Sequence, residues 1–205
     1  MITQDGCWAD YRPSSAGAHG RPCLFLDRDG VLIEDTGYPH DPAAITLIPE
    51  ALEVVRLANA RGWLAGIVSN QSGVGRGYFE WTAFAAVQGA IDTALQARGA
   101  RLDFVLACPH LADAPVGRYR DAAHPWRKPA PGMLVDAAAT LHVAMSVSAM
   151  IGDRVSDMAA AAAAGVAHRA MLVEEDTAAS RGDWAIVRRE MLAAWFTEEV
   201  AAAQR

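Results

Sequence analysis

Cys23-Leu24-Phe25-Leu26-Asp27-Arg28-Asp29-Gly30 decides the fold. Four apolar residues in a row that stop abruptly at an Asp-Arg-Asp-Gly cluster fit a short strand buried on both faces of a parallel sheet. On the downstream side the chain alternates between helix and strand patterns. Pro49 to Arg61 reads as a helix stopped at Gly62, and Trp63 to Ser69 as the second strand. Glu80 to Arg98 is a helix ended by Gly99, and Leu102 to Ala107 is the third strand. Gly132 to His142 is helical, Ala149 to Gly152 the fourth strand and Val155 to Ala164 an alanine-rich helix. Val166 to Val173 is the fifth strand and Trp184 to Ala203 a closing helix. Such alternation predicts an α/β fold, a three-layer doubly wound parallel sheet. Residues 1–20, small and polar without periodicity, are expected to form a flexible N-terminal arm, leaving a single domain over 21–205. Cys108 to Ala130 is a long loop with four prolines, and such loops in compact domains usually serve function.

Composition narrows the function classes. The formal charge of −6 argues against a nucleic-acid partner, whose binding face would be basic. No apolar run is long enough to span a bilayer, and the N-terminus has no signal-peptide pattern. Three scattered cysteines make no disulfide framework. The expectation from composition is a cytoplasmic protein with no nucleic-acid or membrane partner, taken to be a monomer. One oddity stands out: 17 arginines accompany a single lysine, Lys128. Coding bias explains the arginines but not the survivor, and a compact, strongly hydrated ammonium is what arginine replaces poorly.

In a doubly wound sheet, ligands bind beyond the carboxyl ends of the strands. Three strands end in polar clusters, Asp27-Arg28-Asp29-Gly30, Ser69-Asn70-Gln71-Ser72-Gly73 and Gly152-Asp153-Arg154, and the long loop adds Arg127-Lys128-Pro129. Each alone is equally readable as a turn or a helix cap. Together they place several carboxylates near one lysine. Carboxylates that close resist ionising unless a hard cation joins them. A carboxylate nucleophile, a hydroxyl, a lysine and a metal form a phosphoryl-transfer set.

These clusters resemble, in order, the four motifs of the haloacid-dehalogenase (HAD) superfamily. Phe25 to Val31 is similar to the first, Ser69-Asn70-Gln71 to the second, Lys128 to the third, and Gly152-Asp153 with Asp157 to the fourth. Asp35-Thr36-Gly37-Tyr38, Ser69 to Gly77 and Arg127-Lys128-Pro129 further resemble the branch of heptose 1,7-bisphosphate 7-phosphatases and histidinol-phosphate phosphatases, which have no large cap domain. The resemblance implies a hydrolase that removes a phosphate from a phosphorylated sugar of the kind used in lipopolysaccharide biosynthesis, or from histidinol phosphate. It implies Asp27 as nucleophile, Asp29 as acid and base, and Ser69, the Asn70 backbone and Lys128 on the phosphoryl oxygens. Mg²⁺ would be held by Asp27, the Asp29 carbonyl and Asp153. Arg127 would meet the substrate beyond the phosphate, and Gln71 and Arg154 would line the substrate site. Asp35 and Tyr38 either line that pocket or close the loop. Asp157 either complements a helix dipole or steers Lys128.

The resemblance also implies a structural zinc site in the loop after the third strand, Cys-x-His followed by Cys-x-Cys. Here Cys108-Pro109-His110 keeps the first half, but His124-Pro125-Trp126 replaces the second. With Cys108, His110 and His124 as candidates and Trp126 in the fourth position, a closed four-ligand site is not expected. Neither is bound zinc.

Overall fold

The computed structural model describes residues 1–13, 20–173 and 183–200. Its core is a seven-stranded sheet in the order β1-β4-β3-β2-β5-β6-β7. The strands are β1 (Trp8–Tyr11), β2 (Cys23–Leu26), β3 (Leu64–Asn70), β4 (Phe104–Cys108), β5 (Ala149–Gly152), β6 (His168–Val173) and β7 (Ala185–Arg188). All neighbouring pairs are parallel except β1 with β4. Alternate residues of β2 serve opposite faces. Leu24 and Leu26 join a cluster with Leu52, Val55, Phe84 and Ile91 from helices α1 (Pro49–Ala60) and α3 (Trp81–Gln96). Cys23 and Phe25 join Met133, Leu134, Met158 and Ala161 from α4 (Gly132–Leu141) and α5 (Val155–Ala163). This is the three-layer arrangement expected. The chain runs outward from β2 through β3 to β4 and then returns to β5 on the other side of β2. The order therefore reverses between β2 and β5, where such sheets bind ligands. No inserted cap interrupts β2 to β3, whose connection holds only a loop and α1. No helix among the described residues is long and apolar enough to cross a membrane.

Two expectations require correction. The N-terminal residues are not a loose arm: Trp8 to Tyr11 pair antiparallel with Ala107 to Phe104 as an edge strand. Residues 3–7 form a turn held by the Thr3 N–H bond to the Cys7 carbonyl at 2.9 Å, and Trp81 Nε1 donates to the Gly6 carbonyl at 3.1 Å. Gly6 (φ 84°) has to be glycine there, because a Cβ would lie 2.7 Å from the Tyr119 ring. An edge strand needs a hydrogen-bonding neighbour more than a hydrophobic period of its own, so four residues of mixed character gave no signal. Residues 14–19 of the expected arm lie outside the described residues. The closing helix over 184–203 is also corrected. Ala185–Arg188 pairs parallel with β6 as β7, and helical structure begins only afterwards, over Arg189 to Val200. Pairing with β6 overrides the helical pattern of that stretch. Residues 201–205 lie outside the description.

Candidate active site

β2 delivers Asp27 to the switch point, its N–H bonded to the Ile151 carbonyl of β5 at 3.0 Å. The loop before α4 brings Lys128 over it. Lys128 Nζ stands 3.1 Å from Asp27 Oδ1 and 2.6 Å from Asp157 Oδ1, and donates to the Val68 carbonyl at 2.7 Å. Burial alone would lower the ammonium, but Asp27 and Asp157 outweigh it and the lysine is held charged. Asn70 fixes the lysine backbone reciprocally: its Nδ2 donates to the Lys128 carbonyl at 2.9 Å, and its Oδ1 accepts the Lys128 N–H at 3.0 Å. Asp157 resolves its two readings by doing both. One oxygen meets Lys128 and the other accepts the Arg154 N–H at 3.0 Å, capping α5. Burial raises its carboxyl more than Lys128 lowers it.

Two glycines let the acids crowd. A Cβ on Gly30 (φ 84°) would meet Asp153 Oδ2 at 2.5 Å, and one on Gly152 would meet the Asp157 side chain at 2.4 Å. Asp27, Asp153 and Asp157 can bring one carboxylate oxygen each within 4.8 Å of one another. Asp153 Oδ1 is buried and without a hydrogen-bond partner. Burial, with the charges of Asp27 and Asp157 behind it, pushes the Asp153 carboxyl up to about 7. An orphaned oxygen in an over-charged acidic cluster fits a hard divalent cation with oxygen ligands. The donor set therefore suits Mg²⁺.

Asp29 is held on the other side. Arg28 Nε donates to its Oδ1 at 2.7 Å, and Gln71 Nε2 to its Oδ2 at 2.8 Å. Arg28 is fully buried beneath the Phe84 ring, 4.7 Å from its centroid, and also reaches the Pro39 carbonyl and Gln71 Oε1 at 3.2 Å. Burial raises the Asp29 carboxyl and Asp27 adds to this, against the pull of Arg28. Gln71 also donates to Ser69 Oγ at 2.9 Å. Its amide is thus engaged inside the protein, a positioning duty that its motif place did not reveal.

These groups floor a cavity of about 450 Å³ lined among others by Asp27, Asp29, Asn70, Gln71, Arg127 and Lys128. Tyr38, Asp35 and Arg154 stand on its wall, so the pocket reading of that loop fits. Tyr38 has a left-handed backbone (φ 59°) and packs edge-to-face on Tyr78 at 5.0 Å, and Arg154 bridges to Asp35 at 2.8 Å. Arg127 donates to the His110 carbonyl at 2.6 Å. Ser69, 1% exposed, sits beneath the wall, and Asp153 faces an adjoining cavity with Gly30 and Asp35. Ser72 and Gly73 of the second polar cluster also line the main cavity, as does Ser156, which the sequence did not single out. Ser72 and Gly73 open a one-turn helix, α2 (Ser72–Gly75), too short to show a periodic pattern.

Away from this cavity, the loop residues Cys108, His110 and His124 are all buried and close together, but they are not alone. Cys7, immediately before β1, stands with Cys108 and His124, one ligand atom of each within 4.8 Å of the others. The premise that only three candidate ligands exist fails because one comes from the N-terminal segment. No spacing rule within the loop could have found it.

Comparison with known proteins agrees with this geometry. A family model described as HAD-hydrolase-like matches residues 125–187. A D-glycero-beta-D-manno-heptose-1,7-bisphosphate 7-phosphatase from Mesorhizobium japonicum is 42% identical over 181 residues, covering 88% of this chain and 82% of that one. The enzyme of the same name from Vibrio cholerae is 38% identical, covering 71% and 78%. Among solved structures, the D,D-heptose 1,7-bisphosphate phosphatase of B. bronchiseptica, crystallised with magnesium and phosphate, superposes with a TM-score of 0.73 at 25% identity, covering 87% of this chain and 99% of that one.

Proposed function

The chain belongs to the HAD phosphatases, the family of the D-glycero-beta-D-manno-heptose-1,7-bisphosphate 7-phosphatases, and on that premise we propose that it hydrolyses a phosphomonoester of a heptose 1,7-bisphosphate through an aspartyl-phosphate on Asp27. The observation that carries the reading is the single ammonium of Lys128 set 3.1 Å from Asp27 at the head of a polar cavity. Asp27 attacks phosphorus as Asp29 gives its proton to the departing sugar oxygen; Asp29 then takes a proton from the water that opens the acyl phosphate. Burial raises the Asp29 carboxyl, the direction that suits the first half of this duty, and Arg28 with Gln71 aims it. Lys128 and the backbone beyond Ser69 neutralise the phosphoryl oxygens. Asp27, Asp153 and the Asp29 carbonyl are the groups to hold Mg²⁺, which when bound offsets the charge gathering on the phosphoryl oxygens.

A second phosphate calls for a cationic group in the cavity lining, where Arg127 stands. A guanidinium suits bidentate oxygen recognition. The amine of histidinol phosphate would call for a carboxylate instead, and Asp35 is already paired with Arg154. With Mg²⁺ present, turnover of the two heptose 1,7-bisphosphate anomers and of histidinol phosphate should be measured side by side. The bisphosphate is expected to win on kcat/KM by at least about 100-fold, some 2.7 kcal/mol of transition-state discrimination. A preference for histidinol phosphate ends the sugar assignment.

The acidic cluster sets a pH dependence. The folded Asp153 carboxyl holds its proton up to about 7, against an ordinary 3.8. A raised acid contributes stability at low pH that is lost as pH climbs from the ordinary carboxylate range through the folded value. Metal-free protein should therefore lose melting temperature as pH rises towards and past neutrality, and Mg²⁺ should remove most of that loss. A thermal-shift series with and without Mg²⁺ checks it; a profile indifferent to the metal contradicts the assignment of Asp153 as a ligand.

A further inference from the structure

Cys7, Cys108 and His124 take no part in the phosphoryl chemistry, yet all three are buried with one ligand atom of each within 4.8 Å of the others, and buried His110 lies against His124. Cys108 Sγ lies 3.6 Å from His124 Nδ1, and Cys7 Sγ lies 3.9 Å from His124 Nε2. A sulfur and a nitrogen bound to one zinc at ~2.3 and ~2.0 Å in a tetrahedron stand roughly 3.5 Å apart, close to the separation of Cys108 Sγ from His124 Nδ1. The His110 ring stacks on that of His124, centroids 3.9 Å apart and planes 3° from parallel, so one ring has to turn for both to meet a single ion. His110 Nε2 is 2.9 Å from the Asp5 carbonyl and must donate to it, which leaves Nδ1 with its lone pair. That Nδ1 is buried and has no partner, an acceptor that a core histidine would not leave unused. His124 in turn contacts the Asp5 carboxylate through Nε2 at 3.0 Å. Metal-binding histidines typically give their second ring N–H to a carboxylate or a backbone carbonyl, and Asp5 offers one of each. The Trp126 N–H, 3.2 Å from His124 Nδ1, is the contact that a metal on that nitrogen would displace.

We propose that Cys7 closes a zinc site with Cys108, His110 and His124, the N-terminal segment supplying the ligand that the loop lost at Trp126. Two thiolates and two imidazoles select a soft, tetrahedral cation over Mg²⁺. The ion would fasten the turn ahead of β1 to the loop that carries Arg127 and Lys128. The link to the substrate cavity is short, because Arg127 is bonded to the carbonyl of His110 itself.

Metal content tests this without any turnover, so its outcome stands apart from the phosphatase reading. Protein produced with zinc and dialysed into Mg²⁺ buffer is expected to retain about one zinc per chain by plasma mass spectrometry. Cobalt exchanged into the site should give intense tetrahedral d–d bands and a thiolate charge-transfer band of two-sulfur strength. Cys7→Ser should weaken zinc binding by about 100-fold and halve the charge-transfer band. Cys23→Ser, which alters a buried thiol elsewhere, should leave both unchanged. Zinc-free wild-type protein, or a Cys7→Ser variant with undiminished zinc, overturns the proposal. Should Cys7→Ser fail to fold, the wild-type cobalt spectrum decides: an octahedral or single-thiolate spectrum is equally fatal.

Discussion

Asp27→Asn is expected to cut turnover by about 10⁴-fold or more while the chain stays folded. An amide cannot form the acyl phosphate, so no other group in the cavity replaces the lost chemistry. Asp29 is fixed to Arg28 and Gln71, and Asp157 is committed to Lys128 and the α5 cap. The fold should tolerate the change because the amide keeps an oxygen for Lys128, which stands 3.1 Å from Asp27 Oδ1. One negative charge also leaves a cluster in which Asp153 is already pushed up to about 7. The variant's Asp153 should accordingly titrate lower than the wild type's in metal-free protein, a shift that carboxyl-carbon NMR can follow. Near-normal turnover would show that Asp27 is not the nucleophile.

The parts of this site that the sequence exposed are those in which chemistry and strand ends coincide. A buried strand such as β2 needs an unbroken apolar run, and its polar successor marks the place where the sheet opens, so Asp27, Asp29 and Asp153 stood out at strand ends, with their roles implied by the HAD resemblance. Lys128 was visible because it is the one lysine. What stayed hidden depends on contacts between distant segments. β1 exists because β4 offers an edge, and β7 because β6 does, neither of which a local period records. Gln71 could be placed at the site but not given its task, since the task is set by a buried Arg28 and an Asp29 found 42 residues away in the chain. Cys7 is the extreme case. Its neighbours in space are 101 and 117 residues on, as the numbering of Cys108 and His124 shows, and in sequence it is one small residue in a polar stretch.

Lys128→Met carries the second large effect, and it separates the lysine's two duties. Methionine fills similar volume without charge, so any change reflects the ammonium. In the resting protein that ammonium is the buried counter-charge to Asp27 and Asp157. Removing one partner of such a group costs about 3–5 kcal/mol, and metal-free Lys128→Met should unfold at correspondingly lower denaturant. Part of that loss should return at low pH, where burial already favours protonated Asp153 and Asp157. In the reaction the same charge faces a phosphoryl group, and losing it should lower kcat by about 10³-fold or more even at saturating Mg²⁺. Stability that recovers at low pH with activity still absent would mark both duties as real; activity within tenfold of wild type would remove Lys128 from the chemistry. Lys128→Arg sharpens the test. The side chain is fully enclosed, the guanidinium is larger and planar, and overpacking such a cavity costs about 1–3 kcal/mol. If charge alone mattered, arginine would rescue turnover. The expected failure to rescue is the physical reason that a chain using arginine at 17 other positions keeps lysine at this one.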